Sequence, residues 1–224
     1  MEASRQSILR TPILLLALAN LAILGARLWP WQNVMGLPGN GTTGIDPAIA
    51  LAGYIGLGFW ISTARADSSR KSLFSAALLG MVAGLFLVFG VVLATRQTAA
   101  DAAAGPDRVE IAMLACAVLC FGIVGLRTAK AGHPAGFCAV CAIWASMTAC
   151  LMAVAAVLGE TYLSAGTGES NNPWRDYQGL AIGTPAMQAL VYSLQLISGF
   201  LLIGPIVGCI AGTIFASFGK PKKA

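Results

Sequence analysis

"LFSAALLGMVAGLFLVFGVVLAT", residues 73–95, decides the fold: it carries no Asp, Glu, Lys, Arg or His. A helix of this length crosses a hydrocarbon core of about 30 Å, which takes roughly 20 residues. Lipid offers no partner to backbone N–H and C=O groups, so a spanning segment closes its hydrogen bonds within itself as a helix. The alternating strands of a membrane barrel are absent from the chain.

Five further apolar runs flank this one, at residues 12–29, 47–64, 109–126, 135–159 and 185–218. The chain is 57% hydrophobic and 10% charged, against about one quarter charged in soluble proteins. The expectation is an all-α polytopic membrane protein, a single domain over residues 1–224 built as a bundle of about six transmembrane helices. The last run is too long for one upright span and must tilt, kink at Gly204-Pro205 or extend beyond the bilayer. The net charge of +5 does not make a nucleic-acid protein, because the cations are scattered between apolar runs rather than gathered with stacking aromatics.

Lys and Arg are retained on the cytoplasmic side of a membrane, which sets the orientation. With the N-terminus inside, the inner segments hold Arg5, Arg10, Arg65, Arg70, Lys71, Arg127, Lys130, Lys220, Lys222 and Lys223. The outer ones hold Arg27, Arg96, Arg108 and Arg175 together with the acids Asp46, Asp101, Asp107, Glu110, Glu160, Glu169 and Asp176. Both termini are therefore expected in the cytoplasm, with the chain in a plasma or inner membrane. Residues 12–26 follow basic residues as a signal peptide would, but Leu24 at −3 to a cut after Ala26 makes a poor small-x-small site, so the first run reads as a retained anchor.

Thr11-Pro12, Asp46-Pro47 and Thr184-Pro185 mark helix starts, a capping oxygen followed by a proline with no N–H to lose. The inner links, about 65–72 and 127–134, are short and should make antiparallel neighbours of spans two and three and of spans four and five. Trp29, Trp31, Trp174 and Tyr177 read as interfacial anchors. Asn40-Gly41-Thr42 fits a glycosylation acceptor on the outer side. No internal repeat divides the chain.

Gly80 and Gly84 stand four apart in the third run, and Gly204, Gly208 and Gly212 repeat that spacing in the sixth. Such residues share a helix face and let backbones approach closely, so they are read as helix-packing positions. Gln188, Tyr192 and Gln195 form a polar stripe on the sixth run, with Ser198 beside it. In hydrocarbon these groups bond a neighbouring helix or line a wet cavity. No ionisable side chain stands near the centre of any span, which weighs against ion-coupled transport.

"HPAGFCAVCAIW", residues 133–144, holds the single histidine and a Cys-x-x-Cys pair. Cys138 and Cys141 fall on one helix face near its start, where the helix dipole favours a thiolate. This segment resembles the Cys-x-x-Cys segment of the vitamin K epoxide reductase family, in which such a pair opens a membrane helix and exchanges electrons with a quinone. The resemblance implies a redox role for Cys138 and Cys141. Two departures oppose it: charge bias puts the pair on the reducing side, and no outer-loop cysteine supplies a shuttle pair. Cys116, Cys120, Cys150 and Cys209 read as small apolar packing residues. His133 with the pair supplies three metal ligands where a closed zinc site takes four, so no metal and no cofactor is expected.

The functional expectation is a non-enzymatic subunit or scaffold that packs through the small-residue faces of spans three and six. Its partners would be the bilayer, other membrane subunits or further copies of itself, with no nucleic acid. A small-solute transporter or channel-like protein is the alternative, and a thiol oxidoreductase using Cys138 and Cys141 the third reading.

Overall fold

The computed structural model of the chain describes residues 14–26, 45–63, 67–95, 108–164, 174–175, 181–183 and 185–219. Each of the six apolar runs is a helix: α1 Leu14–Ala26, α2 Ile45–Thr63, α3 Asp67–Thr95, α4 Arg108–Lys130, α5 Ala135–Ser164 and α6 Pro185–Gly219. Four of them, α3 to α6, contain stretches long and apolar enough to cross a membrane. At 1.5 Å per residue the described part of α1 covers about 20 Å.

The four long helices form a bundle in which α5 and α6, α6 and α4, and α4 and α3 are neighbours, α3 closes on α5, and α4 also reaches α5 across the middle. Helix α5 is the axis. Its apolar stretch Ala135–Gly159 is 72% buried, against 33% for those of α3 and α4 and 28% for that of α6. Its sequence suits the position: Ala142, Ala145, Ala149 and Ala153 keep its girth small while Trp144, Met147, Leu151 and Val154 fill the remaining space. The outer helices turn large apolar side chains outward, including Leu85 and Phe89 on α3, Ile111 and Leu114 on α4, and Leu202, Ile206, Ile210 and Ile214 on α6. In water that would be an aggregation-prone surface. In a bilayer it is the surface lipid requires.

Helix α2, expected beside α3, lies instead against α6 and α5 among the described residues. A short link limits the distance between two helix ends but does not decide which flank the next helix joins, and here the close-packing glycines of α3 already face α5. Between α5 and α6 a minimal antiparallel pair, β1 Trp174–Arg175 and β2 Ala181–Gly183, matches Trp174 with Gly183 and Arg175 with Ala181. Helix α6 runs unbroken through Pro205 and begins at Pro185, the position where a missing N–H costs nothing. The N-terminal basic residues, Trp29, Trp31, the Asn40 acceptor, Tyr177 and the Lys220–Lys223 cluster lie outside the described residues.

Candidate functional site

The α4–α5 turn is built by its own backbone. Gly132 takes a left-handed φ of 82°, its N–H donates to the Ala129 carbonyl at 3.0 Å, and the His133 N–H donates to the Thr128 carbonyl at 3.3 Å. This pair of bonds is a Schellman cap, which glycine alone enters without a Cβ penalty. Pro134 then stops α4 from continuing, and its carbonyl accepts from Phe137 and Cys138 to start α5. The His133 ring packs on Phe137 with centroids 4.7 Å apart, and its Nε2 meets the Ser72 hydroxyl of α3 at 3.3 Å. The one histidine thus holds a turn to a neighbouring helix.

Cys138 is fully buried and its thiol points back at the His133 backbone carbonyl, 3.8 Å away. Cys141 is fully buried as well, and all six cysteines are unbridged. Cys138 shares a small cluster with Ala129 of α4 and Ala216 of α6. Thiol exchange requires a partner to reach the sulfur in line, and this end of α5 is closed by packed alanines. Among the described residues no three His, Cys, Asp or Glu side chains converge as metal ligands.

The glycines bring helix backbones together within this chain. A Cβ on Gly80 would collide with the Ala145 backbone, and one on Gly84 would lie 2.6 Å from the Met152 sulfur and 3.2 Å from the Ala149 Cα. On α6, Gly204 abuts the Cys150 thiol, Gly208 the Ser146 side chain and Gly212 the Ala142 methyl. Helix α5 therefore takes both glycine faces, α3 from one side and α6 from the other. Three glycines not singled out in the sequence are also closely packed: Gly125 of α4 meets the backbone of Gly212, Gly122 meets the Phe215 ring, and Gly219 of α6 meets Ala129 and Leu126. The spacing of three between Gly122 and Gly125 in "FGIVGL" was the available signal, less familiar than the spacing of four.

Four hydroxyls inside the bundle close on their own helices. Thr128, Thr148 and Ser198 each donate to the carbonyl four residues back at 2.8 to 2.9 Å, and Ser146 donates to Ile143 at 2.9 Å. Gln195 is exposed on α6, so of the proposed stripe it alone has a described side chain; those of Gln188 and Tyr192 lie outside the described set. Gln195 borders an apolar groove of about 300 Å³ between α4 and α6, with Leu114, Phe121, Gly199, Phe200 and Ile203 among its walls and Cys150 at its floor. The groove has a simple origin. At the end bearing Arg127 the two helices are drawn together by Gly125 and Gly212, whereas towards Leu114 and Leu196 no such pair holds them.

Three buried polar atoms have no hydrogen-bond partner among the described residues: Asn20 Oδ1, Tyr54 Oη and Trp144 Nε1. The Asn20 amide nonetheless ties α1 to the axis by donating to the Leu151 carbonyl at 2.9 Å. Tyr54 of α2 sets its hydroxyl beside the Cys150 thiol, close to Gly204. No protein-family model, curated protein or solved structure matches the chain.

Proposed function

We propose that the protein is a non-enzymatic subunit or scaffold of a membrane assembly, crossing a plasma or inner membrane six times with both termini in the cytoplasm. The observation that carries this reading is the division of the surface. The glycine seams are occupied by the chain's own α5, and Thr128 and Thr148 bond their own helices, so the interior reads as a packing core. What is left facing outward is apolar ridge, interrupted by the α4–α6 groove. A partner helix seats in that groove rather than on the glycine faces first suggested by the sequence.

Gly199 supplies the test, because a Cβ there meets nothing within 4 Å while the residue lines the groove. Tagged chain purified from its native membrane in mild detergent should carry a stoichiometric partner, and Gly199→Phe should release that partner while the chain itself stays monodisperse. A chain that purifies alone, or a partner indifferent to Gly199→Phe and to Ile203→Trp, overturns the assignment.

Gln195, exposed at the groove, favours transport of a small solute as the second reading. Cysteines placed at 188, 192 and 195 would then react with aqueous thiol reagents, whereas a lipid- or helix-facing stripe leaves them protected. The oxidoreductase reading requires Cys138 and Cys141 to leave their buried positions, and it predicts that Cys138→Ser abolishes a thiol-dependent electron transfer.

A further inference from the structure

The ends of α3 and α4 that flank the His133 turn enclose a second cavity, of about 200 Å³. Its walls are Lys71, Ser72, Ser75, Ala76 and Leu79 from α3, and Val124, Arg127 and Thr128 from α4. No carboxylate is among these residues. Two cations therefore share one small space, and among the described residues neither forms an ion pair. The opposed dipole ends of α3 and α4 largely offset each other here, so the field in the cavity comes from the side chains.

We propose that this cavity binds a phosphate group, either the headgroup of an anionic lipid or free inorganic phosphate. The chemistry of the walls selects that class. Arg127 offers a planar fork of donors suited to phosphate oxygens, and Lys71 adds a point charge. Ser75 adds a hydroxyl that donates to an anion, and Ser72 adds a second in the tautomer in which His133 Nε2–H donates to its oxygen. Ser72 is held from behind by its contact with His133 Nε2, 3.3 Å away, so the turn fixes one wall of the site. The two helix ends carry Arg70, Lys71, Arg127 and Lys130 against the single acid Asp67, an excess of positive charge at the level where headgroups lie. Ala76, Leu79 and Val124 line the deeper part, so a polar mouth leads to an apolar floor. That gradient matches a phosphate continuing into glycerol and acyl chain, and basic pockets between helices at this membrane level are suited to such headgroups.

Native mass spectrometry of the full-length protein in detergent tests the site with three probes: phosphatidylglycerol, phosphatidylcholine and inorganic phosphate. The wild-type chain should retain phosphatidylglycerol over phosphatidylcholine. The Lys71→Gln/Arg127→Gln double variant should lose that preference by about tenfold or more, since each cation near a charged surface contributes on the order of 1 kcal/mol. The charge-keeping Lys71→Arg/Arg127→Lys variant should hold it, and Arg108→Gln at the opposite end of α4 should have no effect. Retention of inorganic phosphate through Lys71 and Arg127, with no preference between the two lipids, assigns the same site to the free anion. If the double variant misfolds, the two single substitutions, both at exposed residues, carry the comparison. A lipid preference and a phosphate affinity that are both unchanged by removing these cations overturn the proposal.

Discussion

Gly125 and Gly199 show that a glycine in a membrane helix is informative only through what faces it. A Cβ at 125 would lie 2.7 Å from the carbonyl carbon of Gly212, backbone against backbone, with no flexible side chain able to give way. Gly125→Leu should therefore cost at least the 1–3 kcal/mol typical of overpacking, read as an earlier midpoint in thermal or denaturant unfolding of the detergent-solubilised protein. At 199 the space is open, and Gly199→Leu should be neutral or stabilising by up to about 1 kcal/mol, the helix-propensity gain alone. Equal effects at the two positions would break the argument. Asn20 makes a different point: its bond to Leu151 crosses between helices, yet such bonds in membranes average only about 0.6 kcal/mol. Asn20→Leu should lower stability by less than Gly125→Leu does, in the same unfolding assay.

At the scale of the element, the α4–α5 turn and α6 divide the legible from the illegible. Cys138, Cys141 and His133 stood out in the sequence because their side chains are reactive. What positions them is Gly132, which attracted no notice because a cap is a backbone property. Gly132→Ala should cost about 1 kcal/mol or more from its left-handed φ, and it should loosen the His133–Ser72 contact, visible as faster proteolysis or hydrogen exchange at residues 127–138. Proline placement marked the start of α6 at Pro185, whereas α3 begins at Asp67 and α4 ends at Lys130, inside the stretches expected as links, because polar residues at a helix end extend the helix without adding to its apolar run. Pro205 was readable as an irregularity, and α6 continues through it, because the lost N–H is a single ladder bond in a helix gripped along Gly204, Gly208 and Gly212 by α5. Which helix each glycine faces was not legible: spacing fixes a face, and only the assembled bundle fixes the neighbour.

For the whole molecule, the charge pattern and the packing point to one arrangement. Lys71, Arg127, Lys130 and His133 gather at one end of the bundle, near Gly219 at the finish of α6, which packs on Ala129 and Leu126. In the orientation proposed above, this end faces the cytoplasm. A cysteine introduced at Lys130 should accordingly be labelled by a membrane-impermeant reagent only after the membrane is opened, and one at Val109 should be labelled in intact cells. The reverse pattern would invert the topology. Six runs of apolar residues are six helices, and four of them, α3 to α6, are long and apolar enough to cross a membrane, because length and the absence of charge are the physical requirements for crossing lipid. The grooves and cavities were not legible, since they arise where helices diverge, a property of pairs of helices that no single run encodes.

The position of α6 also bears on how the protein is made. A ribosome delivers α5, the axis of the bundle, before the helix that covers one of its two small-residue faces, and α4 meets α3 and α5 before it meets α6. Until α6 enters the bilayer, the Ala142, Ser146 and Cys150 face of α5 remains open to lipid or to any other helix nearby. The contacts among α3, α4 and α5 can form as those helices emerge, but the remaining face of α5 closes only when α6 inserts. Chains interrupted before residue 185 should therefore present an unfilled face to the cell's quality-control proteases, and their lifetime should be far shorter than that of chains that include α6 in a pulse-chase experiment.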